Sequence, residues 1–376
     1  MNSHRQKNKK ELMMKNNENT PRKVLIRPFK YVTDSVAMEA TKMIALLMAQ
    51  IVLLFISKSY SSLLIVVAAV AGSLSADFFS HKFFHNEADD EFSFIVSTAH
   101  GMITGLLIPS SYSPVTVLIA TFFIILVVKH FFGGFSYAWV NPAVFTVVVL
   151  WIIGARLFPS YIVNMDILSM RNPSQTLIEN GTIVQYAFDT EITDALNGSI
   201  FRLFKVSIPN GYVSLFWDNQ SIIPAFRFNF ITLVSSVILF AGNLIKCVIP
   251  GFFLVVYLAL VRFVSPVICN GVAFQGDILL ALLTGGTIFF AVFVLSWYGT
   301  IPISTTGKII YGILSGVTAF FIAGPGTSPC GLIFTVLISN IFSIVIQQWE
   351  NRRNRIFLKK KLENFRKVEA EELKQL

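Results

Sequence analysis

Lys129-His130-Phe131-Phe132-Gly133-Gly134-Phe135-Ser136-Tyr137-Ala138-Trp139-Val140-Asn141-Pro142-Ala143 places two adjacent glycines, an aromatic cluster and an Asn-Pro pair between two long apolar runs. Lipid-facing backbone cannot be irregular, because each unpaired N–H or C=O in hydrocarbon costs several kcal/mol. A Gly-Gly…Asn-Pro break at the end of a membrane span therefore belongs at the interface or against protein. There it can line a cavity or hold a ligand, or serve as a plain interhelical turn.

Apolar runs long enough to span, or nearly so, recur on both sides of this break. They fall at about 38–57, 61–79, 93–110, 113–129, 139–158, 229–246, 248–265, 277–296, 308–323 and 330–347. The fold class implied is an all-α integral membrane protein, a polytopic bundle of about ten transmembrane helices. Hydrophobic residues make up 54% of the 376, and mean hydropathy is +0.66. Both values exclude a soluble domain. The domain reading is a basic tail over 1–30, a first five-helix half over 31–158, an external polar loop over 159–228, a second five-helix half over 229–347 and a second basic tail over 348–376.

Charged residues are only 14% of the chain and gather at its ends. Arg5, Lys7, Lys9, Lys10, Lys15, Arg22, Lys23 and Arg27 precede the first apolar run, and Arg352, Arg353, Arg355, Lys359, Lys360, Lys361, Arg366 and Lys367 come after the last. Basic residues beside spans are retained in the cytoplasm, so both termini are expected there and the span count is expected to be even. The net charge of +9 is thus a topology signal, with anionic lipid rather than nucleic acid as the partner of the tails. The polar stretch before the first run is too long for a signal-peptide n-region, and that run reads as a retained span.

The long segment 159–228, rich in Asn, Ser and Asp, should lie outside, as a functional loop or a small ordered cap. Its N-x-S/T triplets at Asn180, Asn197 and Asn219 carry no weight in so Asn-rich a stretch. Cys247, Cys269 and Cys330 form no C-x-x-C pair, so no metal site or disulfide framework is expected and they read as packing residues. Gly312 and Gly316 stand four apart on one helix face, a spacing that lets two membrane helices approach closely. Asp77, Lys129, His130, Lys246, Arg262 and Asp277 fall near span ends, where snorkelling to the interface explains them. His100 is the titratable group at some depth, either a packing histidine or a proton relay.

Three blocks give the chain a resemblance to the NqrB/RnfD family of membrane subunits. The first is Thr104-Gly105-Leu106-Leu107 through Pro109, succeeded by Lys129 to Ala143. The second is Gly285-Gly286. The third runs from Pro302 to Asn340 and contains Gly307-Lys308-Ile309-Ile310-Tyr311-Gly312, Gly316 and Pro329-Cys330-Gly331. The family comprises subunits of the Na⁺-translocating NADH:quinone reductase and of the Rnf electron-transport complex, in the bacterial inner membrane. The resemblance implies a subunit of an ion-translocating (Na⁺ or H⁺) electron-transport complex, partnered by its other membrane subunits and the bilayer. It also implies FMN or riboflavin, held against Gly133, Gly134, Asn141 and Pro142.

Family members carry an FMN joined through its phosphate to a threonine in an S-G-A-T-like motif. Aligned by Asp194, the equivalent stretch is Asp194-Ala195-Leu196-Asn197-Gly198-Ser199-Ile200-Phe201, and the threonine position is Ile200. Isoleucine has no hydroxyl to esterify, so covalent FMN is not expected at the family position. Ser199 is the one alternative attachment point, and any other flavin would be non-covalent. Further family positions are altered at Ala225 to Asn229, Trp297-Tyr298, Cys330 and Ser136. The losses favour a second reading, a flavin-free scaffold or assembly subunit. A third reading is a solute transporter with breaks at 133–142 and 299–307. Nothing resembles a dinucleotide fingerprint, so NADH oxidation would belong to another subunit; no catalytic residue and no metal ligand is assigned.

Overall fold

The computed structural model describes residues 35–84, 90–131, 139–159, 165–170, 172–297, 299–328 and 330–375. The chain divides at Val36, and the described helices belong to the unit that begins there. No strand occurs among the described residues.

The first half consists of α1 (Val36–Ile56), α2 (Tyr60–Phe84), α3 (Asp90–Leu107), α4 (Pro114–Ile125) and α5 (Pro142–Ile153). The second consists of α6 (Asn229–Ala241), α7 (Val248–Phe263), α8 (Ile278–Leu283), α9 (Thr305–Ala323) and α10 (Gly331–Gln375). Among the described residues six helices are long and apolar enough to cross a bilayer: Val36–Ile56, Tyr60–Phe83, Pro114–Phe131, Val248–Ile268, Thr305–Ala323 and Gly331–Glu363. The apolar stretches at Ser93–Leu107, Pro142–Ile153 and Asn229–Ala241 are shorter.

Several expected spans change their limits for local reasons. The run 139–158 is helical only over Pro142–Ile153, because Asn141 caps its start with Pro142 at the first turn and Gly154 ends it. Twelve residues reach about 18 Å, well short of the hydrocarbon core. The run 229–246 stops at Ala241, before Gly242. The eighth span, expected to be continuous over 277–296, is broken. α8 ends at Leu283, Gly286 takes a left-handed conformation (φ 68°), and helix resumes at Thr287–Phe289 before widening into a π-helix over Phe290–Val294. The tenth does not stop at 347: its helix runs unbroken to Gln375. The break read at 299–307 gives way to helix at Thr305, where Ser304 caps α9 through its side chain.

Small residues set the closest approaches. A Cβ on Gly312 would lie 3.0 Å from Ile249 O, and one on Gly316 2.9 Å from Phe253 O, so α9 packs against α7 through the expected glycine pair. A second pair does the same in the first half. A Cβ on Gly101 would sit 2.6 Å from Val70 Cα, and one on Gly105 2.5 Å from Val66 Cα, so α3 lies against the backbone of α2. One buried apolar cluster runs through both halves, including Leu47, Leu106, Val147, Phe253, Phe293, Tyr311 and Val336. Gln50 Nε2 donates to Thr232 Oγ1 at 2.9 Å and joins α1 to α6.

The polar segment after α5 is an ordered layer of short helices, at Met165–Leu168, Pro173–Glu179, Asp189–Gly198, Ile200–Leu203, Tyr212–Trp217 and Pro224–Arg227. Its own apolar core, with Leu177, Ile183 and Leu215, is shared with Leu280, Leu283 and Ile288 of the broken span. Polar contacts reinforce the join. Asp277 caps α8 by accepting from Leu280 N at 3.0 Å, and it also accepts from the Ser174 amide at 2.9 Å and the Ser174 hydroxyl. Arg227 grips Asp218 through two parallel bonds of 2.9 and 2.5 Å and donates to Ser59 Oγ between α1 and α2 at 2.6 Å.

Candidate functional site

The decisive stretch begins where α4 widens into a π-helix over Leu126–Phe131. Such single π-turns insert an extra residue and frequently mark functional positions. Gly133, Gly134 and Ser136 lie outside the described residues. Asn141 and Pro142 are buried at the far side of the break. The Asn141 side-chain oxygen accepts from Ala143 N (3.1 Å) and Val144 N (3.5 Å), which caps α5. Its amide nitrogen donates to Val294 O at 3.3 Å, inside the second π-helix. Both ends of the amide are thus engaged in joining the two irregular segments.

The break in α8 is stitched in the same style. Thr287 Oγ1 donates across it to Ala281 O at 2.6 Å, and Thr284 Oγ1 lies 2.6 Å from Leu280 O and 3.1 Å from Gly326 O. The Thr287 hydroxyl takes the place of a backbone donor at Ala281 O, while Leu280 O keeps its bond from Thr284 N at 3.1 Å; side-chain donors of this kind make irregular backbone tolerable in a membrane protein.

Asp77, Lys129 and His130 do not snorkel to the interface. Asp77 and Lys129 are 2% exposed and paired, with Lys129 Nζ 2.9 Å from Asp77 Oδ1. His130 Nε2 lies 2.6 Å from the same oxygen. Consecutive residues diverge by about 100° on a regular α-helix; on the wider π-turn both side chains meet one carboxylate. α3 completes the cluster through Ser93 Oγ, which donates to Asp77 Oδ2 at 2.9 Å. Lys129 also donates to Ser93 O (3.1 Å), Ser93 Oγ (2.8 Å) and Ser97 Oγ (2.6 Å). Charge buried inside a membrane-helix bundle is retained for function more often than for stability.

One turn beyond Ser97, His100 is buried with neither ring nitrogen hydrogen-bonded among the described residues, and Thr104 Oγ1, one turn further, is likewise unsatisfied there. The imidazole packs against the buried Trp297 ring, centroids 4.6 Å apart. The cluster and His100 therefore share one face of α3.

In the polar layer Ser199 ends the helix Asp189–Gly198, and its exposed hydroxyl donates to Ala195 O at 2.6 Å. Ile200 is 52% exposed. Beside them a cavity of about 460 Å³ is lined by Phe188, Leu196, Phe201, Phe216, Trp217 and Phe230 among others. Among its described lining residues none is charged, and the hydroxyls of Thr193 and Tyr212 are bonded to Asp189 (3.1 Å) and Ser174 (2.6 Å). A flavin phosphate finds no cation in that lining, and its pyrimidine edge finds these two hydroxyls already bonded. These lining residues do not fit the polar groups of a flavin; the cavity suits an apolar body.

Asp189 holds this layer together. Buried, it accepts from Gly211 N (2.6 Å), Ser214 N (2.5 Å) and Ser214 Oγ (2.6 Å). Burial alone would raise its pKa, but the donated bonds outweigh that and hold the carboxyl below its ordinary value. A group depressed in the folded state contributes stability above its unfolded pKa of about 3.9, and loses it as pH falls through the folded value. Hydrogen-exchange protection across 186–218, taken relative to the intrinsic rate at each pH, should therefore fall on acidification below about pH 4. Asp189→Asn should show the lower protection already at neutral pH, with a loss of about 2 kcal/mol.

A sequence model described as "NQR2, RnfD, RnfE family" matches residues 24–355. Among curated proteins the chain is similar to the D subunit of the ion-translocating oxidoreductase complex of Citrobacter koseri, 25% identical over 283 residues, 69% of this chain and 78% of that one. The protein of the same description from Escherichia fergusonii is 25% identical over 333 residues, 78% and 87% of the two chains. That of Vibrio cholerae is 25% identical over 279 residues, 67% and 76%.

Proposed function

Because the chain belongs to the NQR2, RnfD, RnfE family, we propose that it works as a membrane subunit of an ion-translocating oxidoreductase complex. The observation that carries this reading is the family match across both halves and the polar layer between them. The three bacterial relatives support it, being described as parts of such a complex. The buried Asp77–Lys129–His130 cluster supports a role alongside a charge path, since ionisable groups at depth accompany ion movement. The basic ends support a bacterial cytoplasmic membrane location with both termini inside.

Within that complex, this chain's own residues supply structure and polarity. The Asn141 amide ties the two irregular segments together, the Thr284 and Thr287 hydroxyls hold the break in α8, and the cavity of the polar layer offers an apolar surface. Flavin, where bound, supplies one-electron and two-electron transfer. Ile200 favours the form of this reading in which covalent FMN is absent.

Tagged full-length protein, extracted from native membranes in mild detergent, should bring companion membrane subunits with it. Recovery of the chain alone from membranes that contain those subunits would overturn the proposal. The same preparation tests the flavin reading through its absorbance at about 450 nm and through in-gel fluorescence. The denatured band should be dark. A fluorescent band that disappears in Ser199→Ala would instead establish attachment at the neighbouring serine.

A further inference from the structure

Lys129 is one of the largest fully buried side chains of the fold. Its ammonium is held by one carboxylate oxygen, one backbone carbonyl and two hydroxyls, at 2.6–3.1 Å. These four oxygens come from α2 and α3, and none of them from α4, whose π-turn carries the lysine. The cage is thus built by two helices and filled from a third. Its walls are fixed independently of its occupant: Ser73 Oγ donates to Ser97 O at 2.7 Å, and Ser93 Oγ donates to Asp77 Oδ2 at 2.9 Å. Gly101 and Gly105 lock the same two helices in backbone contact.

Carboxylate, carbonyl and hydroxyl oxygens form the donor set that hard cations take in proteins. An alkylammonium differs from a small free monovalent cation chiefly in being tethered. We propose that α2 and α3 build a monovalent-cation site from Asp77, Ser93 and Ser97, and that Lys129 fills it with its own ammonium group. Removing that group leaves the Asp77 carboxylate in a buried, oxygen-lined site, which a free cation of the sodium, potassium or ammonium class enters. His130, 12% exposed, lies 2.6 Å from the same Asp77 oxygen that Lys129 contacts.

The test uses the purified full-length chain and reads its own thermal stability, so its outcome is independent of whether the protein assembles into a redox complex. Lys129→Met is compared with wild type and with Asp77→Asn/Lys129→Met, a charge-neutral reference. Each is melted in choline chloride, whose cation is too large for the cage, and then in sodium, potassium or ammonium chloride at equal ionic strength. Lys129→Met should melt below wild type in choline. At least one small cation should raise its Tm saturably by about 3–5 °C, while wild type and the double variant do not respond. The cation with the lowest half-effective concentration names the preferred occupant. Equal melting of Lys129→Met in all four salts would overturn the proposal. If Lys129→Met survives purification only in a small-cation buffer, that supports the site; if it survives in none while the double variant survives in choline, the site does not exist.

Discussion

Asp77→Ala should lower the unfolding free energy of the full-length chain by about 3–5 kcal/mol, measured by heat or by sodium dodecyl sulfate in micelles. The carboxylate is 2% exposed and takes bonds from Lys129, His130 and Ser93 at 2.6–2.9 Å. Removing it costs far more than the pair contributes, because Lys129 stays buried without its counter-charge. The signature that separates this from a packing defect is non-additivity. Adding Lys129→Met to Asp77→Ala should recover stability, since two neutral partners leave no stranded charge. A midpoint for Asp77→Ala equal to wild type would mean that water reaches the ammonium and that the cluster is not dry.

Gly101→Leu should be at least as damaging. Its Cβ alone would come 2.6 Å from Val70 Cα and 3.0 Å from Ala69 O, and a leucine adds three carbons beyond that. Backbone cannot yield as a side chain can, so α2 and α3 must separate along their whole contact. Overpacking of a dense interior costs about 1–3 kcal/mol in ordinary cases; here the separation also opens the cage around Lys129. The expected outcome is loss of the monodisperse folded species on size-exclusion chromatography. Gly198→Leu is the matched control, since nothing lies within 4 Å of a Cβ placed there, and it should behave as wild type. Equal behaviour of the two variants would show that α2 and α3 slide apart freely.

Much of this architecture is legible in the chain. Apolar runs of membrane length place most of the helices, and the Gly312/Gly316 spacing announces the α7–α9 contact. The polar composition of 159–228 marks a separate layer. What escapes is whatever depends on residues meeting from distant positions. Asp77, Ser93 and Lys129 each sit near the end of a span, where a single side chain is indistinguishable from one reaching for the interface. The available signal is register: α2, α3 and α4 are successive antiparallel segments, and their polar residues fall at matching depth. The break at Thr284–Gly286 is hidden because its flanks are uniformly apolar, and the two adjacent glycines read equally as a packing notch. Asn141 has the look of a ligand contact because Asn-Pro marks an irregular backbone. Its oxygen caps α5 through Ala143 and Val144, and its nitrogen reaches Val294, a contact that no local pattern reveals.

The unbroken course of α10 makes it a lever. From Leu332 to Gln375 no glycine or proline interrupts it, and at 1.5 Å per residue its 45 residues extend about 67 Å, roughly twice the thickness of a hydrocarbon core. The fulcrum sits at Gln347 and Glu350. Glu350 accepts from Ser304 Oγ at 2.5 Å and from the amides of Ile303 (3.2 Å) and Ser304 (3.3 Å), and Gln347 donates to Ile301 O at 2.9 Å. The distal arm, which carries Arg352, Arg353, Arg355 and Lys359 to Lys361, is therefore joined at this point to the segment that leads into α9. The glycine contacts of α9 extend that connection to α7, so the arm and the interior of the second half share one joint.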